Sequence, residues 1–313
     1  MQYLSLELKN VLPAALVGEM LVILLRPLVD NRLSMWGCGS RGRVLFCGQA
    51  EVLMTKSVRF VEMVGAGVTA VALTGLAHAT VRLARGNQPQ YAPGAATLDP
   101  TSPLYGKRIV FLGSSITYGA AAHGRSFVDD LAASDGVIAG KLAISGTTLA
   151  GHEASSYVSR LAAFHPAVTP DAFVCQLSTN DGRQGKPLGM IAEPGVTQFD
   201  ADTTIGAIET IVSRVQRDWG CPILFYTCLL QPDADYSALI AALRQLQAKY
   251  HFAILDLHGD AALASATKQH PGAMFDDAHP TQLGYSKLWT PLFRQALGTC
   301  WRELKSKQQA LPE

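Results

Sequence analysis

The stretch "RIVFLGSSITYG", Arg108–Gly119, decides how the rest of the sequence is interpreted. Its first half is an apolar, strand-like run that ends at a glycine, and two adjacent serines follow. A serine at a strand-to-helix turn exposes its hydroxyl above the sheet, where the amides of a helix N-terminus can stabilise a developing oxyanion. Alone, the stretch is better explained as a turn with capping serines, and it lacks the second glycine of a G-x-S-x-G elbow. The choice between Ser114 and Ser115 therefore depends on other parts of the chain.

Four further apolar runs alternate with amphipathic stretches: "GKLAISG", "DAFVCQLS", "CPILFYTCLL" and "HFAILDLH". Runs of this kind are typical of buried parallel strands. Between them, "DTTIGAIETIVSRVQRDWG" predicts a helix that starts at Asp202 and closes at Gly220, with one apolar face. The alternation predicts a flavodoxin-like three-layer α/β/α sandwich with a parallel five-stranded sheet and functional loops at the carboxyl ends of its strands.

The stretch from Gly86 to Gly106 is rich in proline and glycine and separates two regions of different character. Before it lie short β-branched and apolar runs punctuated by glycine, which indicate several strands in succession. We therefore predict a smaller β-rich domain over residues 1–90, a linker over 91–105 and an α/β domain over 106–313. A dinucleotide-like "GAGVTA" at Gly65–Ala70 lacks the acidic residue expected about 20 positions later, so no such cofactor is predicted.

Composition excludes several classes of protein. The 313 residues are 48% hydrophobic and 16% charged with a formal net charge of +1, which favours a globular fold and gives no support to a nucleic-acid partner. The apolar run from Val11 to Val29 is interrupted by Glu19 and Arg26, and no basic leader precedes it. We expect no signal peptide, no membrane insertion and a cytoplasmic location.

Near the other end, "FDDAHPTQLGY" places Asp276 three residues before His279. A serine nucleophile needs a base, and the base needs a carboxylate that fixes its tautomer. A lone D-x-x-H also fits a surface loop or a metal site, although no companion motif such as H-E-x-x-H is present. Asp256 and His258 form a rival pair, predicted to share one face of the fifth strand away from the catalytic edge.

Two further residues follow predicted strands. "LAISGTTLAG" places Gly146 after the second strand, and "FVCQLSTNDG" places Asn180 after the third. The backbone N–H of the glycine and the side-chain amide of the asparagine are suitable oxyanion donors. Taken singly, each is better explained as a turn residue or a helix cap.

Taken in order, the blocks Gly-Ser-Ser-Ile-Thr, Gly, Thr-Asn-Asp and Asp-x-x-His-Pro resemble those of the SGNH hydrolases, also called the GDSL esterases and lipases. The resemblance covers about Gly106 to Trp301. It implies an SGNH hydrolase catalytic domain in which Ser115 is the nucleophile and Ser114 occupies the position that is usually Asp.

The same resemblance assigns the remaining roles. It implies that Asp276 and His279 complete the catalytic triad, with Asp277 as the fallback carboxylate. It implies an oxyanion hole made by the N–H of Ser115, the N–H of Gly146 and the side chain of Asn180. It implies neither a metal ion nor an organic cofactor.

The function implied is hydrolysis of carboxylic esters through an acyl-enzyme. Several carbohydrate esterases carry a β-sandwich before the catalytic domain, and the β-rich domain over residues 1–90 resembles this arrangement, which implies a sandwich-like domain there. The resemblance favours O-deacetylation of a sugar or glycan, with a small-molecule or glycan ester as the substrate. One alternative is a lipase, thioesterase or arylesterase acting on other acyl esters. From a different class, the chain could be a catalytically inactive glycan-binding protein, but the intact set of five site residues argues against that.

Overall fold

The computed structural model describes residues 80–228 and 234–309 of the 313-residue chain. The predicted β-rich domain over 1–90 falls almost entirely outside these residues and stays a prediction. The part of it that is described begins with a helical segment, residues 80–86.

Five parallel strands form one sheet with the order β2-β1-β3-β4-β5. Their bounds are β1 (Arg108–Gly113), β2 (Ile138–Ala143), β3 (Ala172–Gln176), β4 (Ile223–Tyr226) and β5 (Ala253–Leu255). This is the flavodoxin-like order, and it confirms the predicted parallel five-stranded sheet. β3 and β4 are buried along their whole length, which explains their unbroken apolar runs.

Helices connect the strands and flank the sheet. In chain order they are α1 (Ser115–Tyr118), α2 (Phe127–Asp135), α3 (Tyr157–Ala163), α4 (Asn180–Arg183), α5 (Thr204–Asp218), α6 (Ala234–Tyr250), α7 (Ala261–Gln269), α8 (Gln282–Gly284), a π-helix (Tyr285–Trp289) and α9 (Thr290–Gln309). α2 packs against α9, whereas α3 packs against α5 and α5 against α6. Two groups of helices around one sheet confirm the three-layer sandwich. Within the described ranges, no helix combines the length and the apolar character that a bilayer crossing requires.

Helix α5 shows how the sequence pattern produces an element. The predicted apolar face consists of five residues at helical spacing, and all of them are buried: Ile205, Ile208, Ile211, Val212 and Val215. The predicted start at Asp202 is wrong by one residue, because the hydroxyl of Thr203 is the group that accepts the N–H of Gly206, at 3.2 Å. The helix ends at Asp218, and Gly220 follows with a φ of +59°.

The packing between sheet and outer helices is aromatic on the side of α2 and α9. The rings of Phe127 and Phe293 stack with centroids 3.7 Å apart, and Tyr226 of β4 meets Phe293 edge-on at 5.0 Å. All three side chains are fully buried. This cluster therefore joins α2 and α9 to β4 of the sheet.

The segment predicted as a linker, residues 91–105, lies on the α/β domain. It contains the 3-10 turn Pro93–Ala95, and Leu104 is fully buried. The hydroxyl of Ser102 donates to the carboxylate of Asp135 in α2 at 2.8 Å. These contacts give the segment a fixed place beside α2.

The sheet order also determines where a ligand can bind. β1 lies between β2 and β3, so the connections leaving β1 and β3 diverge to opposite sides of the sheet. In open parallel sheets the crevice at such a switch point, at the carboxyl ends of the strands, is the usual binding position. Ser115 follows β1 and Asn180 follows β3, so both residues lie at this switch point.

Candidate active site

Ser115 is the first residue of α1, two positions after the end of β1. Ser114 before it is the N-cap residue and is fully buried, whereas Ser115 retains 8% of its surface exposed. The sharp change from strand to helix turns the second serine toward the sheet edge. Only one of the two adjacent hydroxyls is therefore reachable from solvent.

His279 lies next to that hydroxyl. Its Nε2 is 2.8 Å from the Oγ of Ser115, and its Nδ1 is 2.8 Å from Oδ2 of Asp276. A carboxylate only accepts hydrogen bonds, so Nδ1 carries the proton and Nε2 is left to accept the hydrogen of the serine hydroxyl. The three side chains form one continuous hydrogen-bond chain.

Asp276 is held by the backbone of its own loop. Its Oδ1 accepts the N–H of Ala278 at 2.9 Å and the N–H of His279 at 2.7 Å. Burial alone would raise the pKa of Asp276, but the hydrogen bonds from the His279 ring and from these two amides hold the pKa below its ordinary value. Asp276 therefore stays ionised while it orients the imidazole. The fallback carboxylate, Asp277, is exposed.

Asn180, one of the two expected oxyanion donors, is bonded to the loop that carries the other, Gly146. Asn180 is the first residue of α4, and its Nδ2 donates to the carbonyl of Thr147 at 2.9 Å, next to Gly146. Gly146 has a φ of +78°, and a Cβ added to it would meet nothing within 4 Å. The glycine thus supplies a left-handed backbone turn beside open space, a conformation that L side chains rarely adopt.

Two residues that the sequence analysis did not assign hold this loop. The buried carboxylate of Asp181 accepts the N–H groups of Leu149 and Ala150 at 2.9 and 3.0 Å. The guanidinium of Arg160 donates to the carbonyl of Gly113 at 2.9 Å and to the hydroxyl of Thr147 at 3.1 Å. Arg160 therefore ties the end of β1 to the loop that carries Gly146.

A third unassigned residue, Gln176, lies beneath Ser115. Its Oε1 accepts the N–H of Ser114 at 2.9 Å, the hydroxyl of Thr117 at 2.8 Å and the hydroxyl of Tyr226 at 3.2 Å. Its Nε2 donates to Oγ of Ser114 at 3.0 Å. All four side chains are fully buried. Ser114 occupies the position that is usually Asp in the family that the sequence resembles. Its uncharged hydroxyl accepts from the uncharged amide of Gln176, so neither partner carries a charge.

The sequence held a signal for two of these three residues, Gln176 and Asp181, but none for Arg160. Gln176 is a polar residue inside the apolar run "AFVCQL", and a buried polar side chain needs partners. Asp181 directly follows Asn180 within the Thr-Asn-Asp block. Arg160 lies in the last turn of a short helix, where a solvated surface charge would be the ordinary expectation.

The rival pair does not form. β5 ends at Leu255, so Asp256 and His258 lie in the loop after the strand, and the prediction that they share one strand face is wrong. Asp256 accepts from the hydroxyl of Thr227 at 2.8 Å and from the guanidinium of Arg244 at 2.5 Å. Among the described residues, no three His, Cys, Asp or Glu side chains are grouped so that they could hold a metal ion.

Comparison with known proteins identifies a family and similar solved structures. Residues 111–287, more than half of the chain, match the GDSL-like lipase/acylhydrolase family. A solved structure from Lactobacillus plantarum superposes with a TM-score of 0.50 at 23% identity, covering 63% of this chain and 97% of the other, and it supports the fold.

Two other solved structures are similar at lower TM-scores. A carbohydrate esterase family 2 enzyme with a carbohydrate-binding domain, from Corynascus thermopiles, has a TM-score of 0.40 at 16% identity over 65% of this chain and 69% of its own. An acetyl xylan esterase has a TM-score of 0.44 at 18% identity over 60% and 97%. No protein of curated function has a significantly similar sequence. The family match shows that the chain belongs to the GDSL-like lipases and acylhydrolases, hydrolases that act on esters.

Proposed function

We propose that the protein is a serine esterase that hydrolyses carboxylic esters through an acyl-enzyme intermediate on Ser115. The observation that carries the proposal is the unbroken hydrogen-bond chain from Asp276 through His279 to the Ser115 hydroxyl. A serine hydroxyl is a weak nucleophile until a base removes its proton, and an imidazole oriented by a carboxylate is such a base.

In the acylation step, His279 Nε2 takes the hydroxyl proton while Ser115 Oγ bonds to the ester carbonyl carbon. The carbonyl π electrons move to oxygen, and this oxyanion is stabilised by the N–H of Ser115, the N–H of Gly146 and Nδ2 of Asn180. When the tetrahedral intermediate collapses, the bond to the alkoxy group breaks and the imidazolium gives its proton to the departing alcohol.

Deacylation repeats these steps with water. His279 takes a proton from water, the hydroxide oxygen bonds to the acyl carbon, and Ser115 leaves as the alcohol after regaining a proton from the imidazolium. Asp276 remains ionised through the cycle and stabilises the positive imidazole each time it forms. The cycle consumes one water for each ester cleaved.

The nucleophile assignment is tested with a fluorophosphonate probe, which forms a covalent bond with an activated serine. We expect the wild type to be labelled and Ser115→Ala not to be labelled. Ser114→Ala is the matched control because it removes the neighbouring hydroxyl, which is fully buried. A wild type that never reacts, or a Ser115→Ala variant that still does, contradicts the assignment.

For the substrate, we propose an O-acetyl ester of a sugar or glycan. Support comes from the predicted β-rich domain ahead of the catalytic domain, an order that resembles that of several carbohydrate esterases, so this part of the proposal is separate from the hydrolytic mechanism. A series of synthetic esters of increasing acyl length tests it, and a sharp fall in kcat/KM beyond acetyl is expected. Comparable activity on longer chains would favour a lipase, thioesterase or arylesterase. Glycan binding without turnover of any ester would favour the non-enzymatic alternative.

A further inference from the structure

The helical segment 80–86 lies against the loop that carries Asp276 and His279. A Cβ added to Gly86 would be 2.2 Å from the carbonyl oxygen of Gly272 and 2.3 Å from Oγ1 of Thr281, so the two backbones approach too closely for any side chain there. Arg82 Nη1 also donates to the carbonyl of Phe275 at 3.3 Å. The segment therefore packs directly on the histidine loop.

The next residue, Asn87, connects this loop to the serine side of the site. Its Nδ2 donates to the carbonyl of Ala121 at 2.8 Å, in the turn that follows α1. Its Oδ1 accepts the N–H of Gln282 at 3.0 Å, three positions after His279. One half-buried side chain thus holds the segment after the nucleophile and the segment after the base at a fixed separation.

Such a connection matters because Ser115 and His279 belong to distant parts of the chain. Two other hydrogen bonds join the same regions: Tyr285 Oη donates to the carbonyl of Ile116 at 2.7 Å, and Gln282 Nε2 donates to the carbonyl of Ala122 at 3.4 Å. Both come from within the matched family region, residues 111–287, whereas Asn87 lies outside it. A displacement of about 1 Å between reacting groups can lower a rate about 100-fold.

We propose that Asn87 is a positioning residue, which sets the distance between Ser115 Oγ and His279 Nε2 by bridging Ala121 and Gln282. The segment 80–87 then supports the active site although it lies outside the family region, residues 111–287. This inference rests on the proposed serine mechanism, but it concerns a residue that makes no contact with Ser115 or His279 themselves.

The test compares Asn87→Ala with Asn87→Asp in the full chain. Asn87→Ala loses both bridging bonds, and we expect kcat on a short-chain ester to fall by about 10- to 100-fold with KM changed less than twofold. Asn87→Asp keeps an acceptor for the Gln282 N–H but puts a carboxylate oxygen where the donor to the Ala121 carbonyl was, and because two acceptors repel each other, its kcat is expected to fall at least as far as that of Asn87→Ala. Gln90→Ala, an exposed change three positions after Asn87, is expected to leave kcat unchanged.

The rate of fluorophosphonate labelling separates the possible outcomes. If the wild type does not react, the proposed function fails. If the wild type reacts and both Asn87 variants react as fast as the wild type, the positioning role is wrong. An equal fall in kcat for Asn87→Ala and Gln90→Ala also overturns it. If Asn87→Ala unfolds below the assay temperature, the labelling rate of Asn87→Asp is compared with that of the wild type instead.

Discussion

Ser115 Oγ lies 2.8 Å from His279 Nε2 although 164 positions of sequence separate the two residues. Asp276 and His279, by contrast, meet within one loop, where the backbone amides of Ala278 and His279 fix the carboxylate. The contact between base and carboxylate is therefore local, whereas the contact between nucleophile and base depends on the whole fold. Substitutions at the first contact are therefore expected to act within the loop, whereas the second contact is also sensitive to substitutions in other parts of the fold.

Replacing Asp276 with Asn should remove the negative charge that holds the proton on Nδ1 of His279. We expect kcat/KM to fall by about 100- to 10,000-fold, because the imidazole loses both its tautomer and the stabilisation of its charged form. Thermal melting should change little, since the amide oxygen still accepts from the loop backbone. Steady-state kinetics on a short-chain ester and a melting curve measure both effects.

Asp277→Asn is the matched control, because this neighbouring carboxylate is exposed. It should retain wild-type kcat/KM. If Asp277→Asn loses as much activity as Asp276→Asn, the fallback carboxylate is the functional one and the assignment to Asp276 is wrong.

Asn180→Ala should lower kcat by about 100- to 1,000-fold, the typical effect of removing one oxyanion donor. KM should change much less, because the donor is strongest toward the charge that develops in the transition state. Arg183→Ala on the same short helix is an exposed control and should keep its activity on a neutral ester. Equal losses in the two variants would mean that α4 acts through loop structure and not through the amide of Asn180.

Gln176→Leu should destabilise the protein and impair the nucleophile together. The leucine fills the same space but leaves the buried N–H groups of Ser114 and Thr117 without an acceptor, so the free energy of unfolding is expected to fall by about 2–5 kcal/mol. Fluorophosphonate labelling of the folded fraction should also slow, because the turn before Ser115 loses its support. Urea unfolding and labelling rates check the two effects separately.

Tyr226→Phe provides the contrast to Gln176→Leu. It removes one hydroxyl from the same network while the Thr117 hydroxyl still bonds to Gln176. A loss of about 1 kcal/mol with little change in labelling is expected. Labelling as slow as in Gln176→Leu would show that the hydroxyl of Tyr226, and not the amide of Gln176, supports the turn.

Local signals predicted the sheet, whereas the site residues were predicted from the order of four short blocks and the family that this order resembles. Apolar runs predict buried strands, and strand ends place Ser115, Gly146 and Asn180 at one edge. The supports of the site are different: Arg160 and Asn87 are polar residues whose partners lie 47 and 195 positions away. Such contacts carry no periodicity, so only the fold reveals them. The start of α5 was misplaced for a similar reason, because three adjacent residues could all cap the helix and the bond of Thr203 decides.

Asp130 of α2 is a buried carboxyl away from the proposed chemistry. Its exposed fraction is 5%, and burial raises its pKa to about 7, while a 2.9 Å hydrogen bond from the Thr290 hydroxyl opposes the rise. The ordinary pKa of an aspartate, which we take for the unfolded chain, is 3.8. Between these two values the folded protein holds a proton that the unfolded chain has released.

The folded state is therefore expected to lose stability as the pH rises from about 4 to about 7, and then to level off. The side chain of Asp130→Asn cannot ionise, so this variant does not lose stability in that window. The difference in the free energy of unfolding between Asp130→Asn and the wild type should therefore grow by roughly 1.4 kcal/mol for each unit of the pKa difference. Thr290→Val, which removes the opposing hydrogen bond, should extend the decline to higher pH. Urea unfolding of the three proteins at pH 4, 6 and 8 measures this, and a constant difference between Asp130→Asn and the wild type would show that Asp130 is ionised in the fold throughout.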